Sequence, residues 1–218
     1  MDAVPFSDPA VIRVAEAVKH DDADAVRAAV AGGANPNAQG EEGLNLLQFA
    51  ILSAQPHSLK ALLQAGADPN RPGIGGATAL HTAAIVDDPQ YLELLLEFRG
   101  DPNVEHAITA ETPLAQATGP RTDAQFRLLL QAGADPNKAD RTGNTPLHRA
   151  GMINAGAHVL ALLHAGADAR LRNAQQASFQ TYYFRTDANV LNAQARAQRE
   201  AVVQWLREHD VALEAVVD

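Results

Sequence analysis

Gly133-Ala134-Asp135-Pro136-Asn137, followed a short step later by Thr145-Pro146-Leu147-His148, decides how this chain folds. The first motif recurs as Gly33-Ala34-Asn35-Pro36-Asn37, Gly66-Ala67-Asp68-Pro69-Asn70 and Arg99-Gly100-Asp101-Pro102-Asn103, and in degenerate form as Gly166-Ala167-Asp168-Ala169-Arg170. Its fourth residue falls at 36, 69, 102, 136 and 169, in steps of 33, 33, 34 and 33. The second motif recurs as Asn45-Leu46-Leu47-Gln48, Thr78-Ala79-Leu80-His81 and Thr112-Pro113-Leu114-Ala115, with its first residue stepping by 33, 34 and 33. Two interleaved signals sharing one period make a repeat array.

The chemistry of each motif predicts its local structure. Thr followed by Pro reads as a helix N-cap with proline at the first helical position, where its missing N–H costs nothing. Leu147 and Ala150 then share one face of a short helix. A second helix follows, as in Tyr91 to Glu97 or Phe126 to Leu130. Gly66, Gly133 and Gly166 come just past such helices, where positive φ favours glycine. Asp-Pro-Asn leaves the helix for an extended, turn-rich stretch. Each unit is helix, turn, helix and a projecting loop. Alone it cannot cover its apolar face; stacked, it can.

This pattern resembles the ankyrin repeat over residues 8–218. The resemblance implies an all-α solenoid of about six stacked helix-turn-helix units with short β-hairpin fingers. It would form a single domain, 1–218, with an N-terminal cap repeat at 8–38, four internal repeats at 39–171 and a modified C-terminal cap at 172–218. Departures are local. Ala115 replaces the usual histidine, removing the hydrogen bonds that histidine makes, and one extra residue lies between Asn103 and Thr112. Gln55-Pro56 and Asp88-Pro89 each place proline at a second-helix start. In the first cap, Asp8-Pro9 opens a helix to about Lys19, with Asp24 to Val30 as its partner. In the last cap, Ser178-Phe179-Gln180-Thr181 fits the frame poorly. There, 187–209 reads as one lengthened helix with Leu191, Val202, Trp205 and Leu206 inward.

Composition narrows the function. With 17 basic against 26 acidic residues, the net charge of −9 argues against nucleic acid as the partner. No apolar run approaches the ~20 residues of a membrane span, so no membrane insertion is expected. The first residues lack the features of a secretory signal, which suggests a cytoplasmic protein, or a periplasmic one if a signal peptide precedes and is removed. Cysteine is absent, which excludes disulfides, thiolate nucleophiles and cysteine-based zinc sites. Heavy alanine use and a stand-alone array fit a bacterial origin.

Several motifs invite chemistry and do not carry it. Arg99-Gly100-Asp101 spells an adhesion tripeptide but occupies the frame of the Gly-Ala-Asp turn. Gly73-Ile74-Gly75-Gly76 has neither a preceding strand nor a following Lys-Ser/Thr. His81 and His148 sit in the repeat's structural slot, and the remaining histidines, His158 among them, read as turn or helix-surface residues without ligand spacing. No nucleophile, base and orienting group assemble. No catalytic residue, metal or cofactor is expected, and an enzyme using a pocket at the C-terminal cap is a remote alternative.

The resemblance further implies that first helices and fingers line a concave binding face. Its candidate positions are Glu41, Glu42, Leu44, Phe49 and Leu52 in the first internal repeat, and Ile74, Thr82 and Ile85 in the second. The third offers His106, Ile108, Glu111 and Gln116, and the fourth Arg141, Asn144, Arg149 and Met152. The cap adds Gln175, Tyr182 and Arg185. Apolar residues at such positions suit a protein interface, and the charge turns from acidic (Glu41, Glu42) to basic (Arg141, Arg149, Arg185) along the array. Phe49, Ile85 and Met152 have packing between neighbouring helices as an equal alternative. The reading is a non-enzymatic protein-protein interaction module, monomeric alone. An alternative is an inhibitor or immunity-type protein that neutralises a bacterial toxin or secreted enzyme.

Overall fold

In a computed structural model, which describes residues 4–214, every regular element is helical and no strand occurs among the described residues. The chain divides into two compact units, Met1–Ile108 and Thr109–Asp218. The first holds α1 (Pro9–Lys19), α2 (Ala23–Ala31), α3 (Leu46–Leu52), α4 (Pro56–Gln64), α5 (Ala79–Ile85) and α6 (Gln90–Glu97). The second holds α7 (Pro113–Gln116), α8 (Asp123–Gln131), α9 (Pro146–Met152), α10 (Gly156–His164), α11 (Phe179–Tyr183) and α12 (Ala193–Glu208).

In the first unit α1, α3 and α5 pack in one layer and α2, α4 and α6 in another. The seam between the layers is filled by fully buried Val14, Val26, Leu46, Leu59, Leu80, Leu92 and Leu95. Helix starts follow the capping chemistry. Asp8 accepts from the Ala10 amide, Asn45 and Gln48 form a capping box, and Thr78 does the same with His81. Pro56 opens α4 as expected, but α6 begins one residue after Pro89. Pro89 already has helical φ and ψ (−68°, −15°), and the Asp88 carboxylate accepts from the Gln90 amide at 2.9 Å, as Asp8 does from Ala10 at the start of α1.

The second unit repeats the arrangement, with α7, α9 and α11 in one layer. Leu114, Phe126, Leu147, Leu162, Phe179 and Tyr183 are buried in its core. α7 is a single turn, after which the Thr118 and Thr122 hydroxyls donate to the Ala115 and Ala117 carbonyls and tie off the loop. His158 differs from the surface position expected: it is buried, stacks on Phe126 at 4.1 Å and places Nδ1 2.7 Å from the Thr118 carbonyl.

Within each unit the Asp-Pro-Asn motif stitches neighbouring repeats together. In the first unit Asn37 Nδ2 donates to the Gly66 carbonyl while its Oδ1 accepts from the Asp68 amide, and Asn70 treats Arg99 and Asp101 in the same way. In the second unit Asn137 does so with Gly166 and Asp168. Within the motif, the Asp68, Asp101 and Asp135 side chains each accept from the amide two residues on, setting the turn.

Two expectations are corrected. The fingers are not β-hairpins among the described residues: four of them are closed by one recurring bond, Gly40 N to Leu44 O, Gly73 N to Ala77 O, Asp140 N to Asn144 O and Asn173 N to Ala177 O, with a single isolated bridge between Gln39 and Asn45. The next residue is already a helix N-cap, so no ladder can extend. The C-terminal stretch is also not one helix from 187. A 3-10 turn spans Ala188–Val190, started by the Asp187 carboxylate, and a second cap at Asn192 accepts from the Ala195 amide to begin α12. Leu191, Val202 and Leu206 are buried as expected. Trp205 is only half-buried and stacks on His209 at 3.8 Å.

Candidate protein-binding surface

The first unit leaves three large apolar side chains uncovered. Leu52 and Ile85 are the last residues of α3 and α5, one repeat apart, and are 59% and 57% exposed. Ile108, at a finger tip, is 63% exposed. Ile108 stands where neighbouring fingers meet closely. The Ala107 amide donates to the Gly76 carbonyl at 2.9 Å, and Gly76 has a φ of +89°. A Cβ at Gly76 would lie 3.1 Å from the Ile108 side chain, so glycine serves both the backbone and the contact.

The other candidates of this unit are placed unevenly. Glu41 and Glu42 are exposed on a 3-10 turn, while Leu44 and Ile74 are half-buried. Phe49 is half-buried, with Phe6 edge-on at 5.7 Å. His106 is half-buried and edge-on to His81 at 5.6 Å. Thr82 departs from the expectation of an outward residue. It is buried, and its hydroxyl accepts from Gln48 Nε2 and faces the Thr78 carbonyl. Gln48 itself is fully buried in the slot that histidine fills elsewhere. Its Nε2 donates to the Ala77 carbonyl at 3.1 Å and its Oε1 accepts the Ile74 amide at 3.0 Å, so one side chain fixes the next finger.

In the second unit the basic character is smaller than the sequence suggested. Arg149 Nε lies 2.9 Å from Glu111 Oε1, and Gln116 donates to the other oxygen of Glu111. Arg149 thus spends its charge within the unit. Arg141 and Arg185 are exposed, as is Gln175. The Arg141 finger is stiffened by Asp140. Burial pushes that carboxyl up, but hydrogen bonds from Thr142 and Asn144 outweigh it and hold the group below its ordinary range. Asn144 Oδ1 accepts from Asn173, which also donates to the Tyr182 hydroxyl at 2.8 Å, leaving Tyr182 half-buried. Met152 is 38% exposed. Ile153 beside it is also exposed and was not among the expected positions; its only signal was adjacency to Met152 at the helix end.

His148 sits in its structural slot: Nδ1 accepts from the Thr145 amide and Nε2 donates to the Ala177 carbonyl at 3.1 Å. Burial lowers its pKa, favouring the neutral ring. Among the described residues no three histidine or carboxylate groups come together to hold a metal, and no helix is long and apolar enough to cross a membrane.

The family profile described as ankyrin repeats (3 copies) matches residues 14–106 and 80–173. Protein PhlB of Serratia liquefaciens is 45% identical over 150 residues, covering 69% of this chain and 66% of PhlB, just under two thirds of its length. A neurogenic locus notch homolog protein 4 of Homo sapiens is 49% identical over 47 residues, 22% of this chain and 2% of that protein. Among solved structures, the ankyrin repeat domain of Bcl-3, described as a unique member of the IkappaB protein family, superposes with a TM-score of 0.71 at 26% identity, covering 86% of this chain and 81% of that one.

Proposed function

The chain belongs to the ankyrin repeat family, a fold that typically serves as a non-enzymatic interaction module, and we propose that it binds a partner protein through its first helices and fingers. The observation that carries this reading is the exposure of Leu52 and Ile85 at equivalent ends of successive first helices, with Ile108 exposed on a finger of the same unit. Covering a large aliphatic side chain contributes about 1.5–3 kcal/mol, and these three are each more than half exposed. Together they supply the anchors of a small interface. Ile74, Phe49 and Leu44 are half-buried in the same unit, and exposed Glu41 and Glu42 give it an acidic character that selects a basic rim on the partner. In the second unit Met152, Arg141 and Arg185 are the equivalent outward groups.

The test compares wild-type protein with Leu52→Asp/Ile85→Asp in capture from the native cell extract. Both positions are exposed, so the double variant should fold with an unchanged circular dichroism spectrum. It should lose the captured protein at least ~10-fold, the size of one lost anchor. Lys60→Glu and Gln131→Glu, on the second helices, should leave capture unchanged. Loss of binding with these controls and retention with the double variant would refute the placement. If the partner is an enzyme or toxin whose activity wild type suppresses and the double variant does not, the module acts as an inhibitor; unaltered activity makes it a scaffold.

A further inference from the structure

The last helix pair of the second unit holds a cation without a counter-charge. Arg199 of α12 donates from Nη1 to the Thr186 carbonyl at 2.7 Å and from Nη2 to the Tyr183 carbonyl at 2.9 Å. Its guanidinium carbon lies 5.7 Å from the ring centres of both Tyr183 and Phe184. Its Nε is buried and has no hydrogen-bond partner, and no carboxylate among the described residues pairs with it. Arg199 is half-buried, and a partly desolvated charge held only by carbonyls and ring faces favours an anion beside it.

That cation lines a cleft of about 550 Å³, whose apolar walls are Phe184, Val203 and Leu213 and whose rim carries Arg185. Of the two acids at the cleft, Glu214 has its own cation, and exposed Asp187 caps a helical turn and forms no ion pair with Arg199. Asp187 accepts from the Asn189 amide, and Glu214 takes the Arg172 guanidinium and the Ser178 hydroxyl. A second hollow of about 460 Å³ shares Arg199 and Val203 and adds Arg196 and Arg207 against a single acid, Glu200. In a chain of net charge −9, this corner is a local excess of arginine.

From the cleft we infer a binding site for a carboxylate carried on a small apolar body. Each Nη has a second N–H beyond the one given to a carbonyl, and these charged donors suit a carboxylate. The aliphatic and aromatic walls suit the body, and the volume is in the range of small-ligand sites, roughly 300–1,000 Å³. Two sources share this chemistry, a free organic acid and the C-terminal carboxylate of a peptide.

The test uses the full chain, with binding read by calorimetry and by thermal melting. Phenylbutyrate is compared with phenylbutanol, and acetyl-Leu-Phe with its amide. The expected result is that at least one acid binds roughly tenfold tighter than its neutral counterpart, the worth of one charge-assisted contact; the tighter acid identifies the source. Arg185→Gln, an exposed change, should weaken the acid several-fold. Val203→Trp, which fills the cleft and leaves the bonds of Arg199 in place, should abolish it while the ligand-free melt stays within reach of wild type. Equal binding of acid and neutral forms, no binding of either acid, or undiminished binding by Val203→Trp would overturn the proposal.

Discussion

Replacing Gln48 with alanine should loosen the finger that follows it. The side chain is fully buried and makes three bonds beyond its own repeat, to the Ala77 carbonyl at 3.1 Å, the Thr82 hydroxyl at 3.2 Å and the Ile74 amide at 3.0 Å. At about 1 kcal/mol per bond, with two backbone groups left partly buried and unpaired, the loss is roughly 3 kcal/mol. In a chain of this size that corresponds to a melting temperature lower by about 6–12 °C. Gln48→His is the informative control. Histidine can keep the donor bond to Ala77, as His148 does toward Ala177, but offers nothing to the Ile74 amide. It should therefore cost about half as much as alanine. Denaturant unfolding followed by circular dichroism gives the stabilities. Amide hydrogen exchange at Ile74 gives the local effect, with faster exchange in both variants. An alanine variant within ~1 kcal/mol of wild type, or a histidine variant no better than alanine, would refute the assignment of finger position to this side chain.

Two further outcomes follow from other positions. Arg99 has a φ of +66° where the equivalent Gly66, Gly133 and Gly166 lie between +85° and +92°, so Arg99→Gly should raise stability by about 1 kcal/mol in denaturant titration. Burial lowers the pKa of His148, so the unfolded chain binds the proton more readily than the folded one; stability should be full above the ordinary value of 6.5 and fall as pH drops below it, and His148→Gln should remove that part of the pH dependence.

The period, the helix pairs and most caps were legible because they rest on local chemistry that repeats: Thr145 before Pro146, Asp8 before Pro9, Asn70 closing its turn. The C-terminal stretch misled because its apolar residues are spaced for a helix while two short polar residues, Asp187 and Asn192, interrupt it as caps. Asn192 before an alanine-rich run was the available signal. Among the binding candidates, exposure depends on neighbours 33 residues away, which spacing alone does not reveal. Thr82 turned inward because Gln48 one repeat earlier needs its hydroxyl, and Arg149 found Glu111. Leu52 and Ile85 stayed outside because each ends its helix, beyond the reach of the packed layer. The demand for an anion at Arg199 had no sequence signal, since it arises from what fails to approach the side chain.

The asparagine bonds between repeats address only main-chain atoms: Asn37 reads a carbonyl and an amide of the next turn, as do Asn70 and Asn137. A junction written in backbone is indifferent to the side chains on either side of it. Gly66 and Arg99 are accepted by the same grip although one has no side chain and the other a long cation. Copies of a unit can thus be duplicated, exchanged or lost by unequal recombination without inventing a new joint. Selection is then left free to rewrite the outward positions of each copy independently.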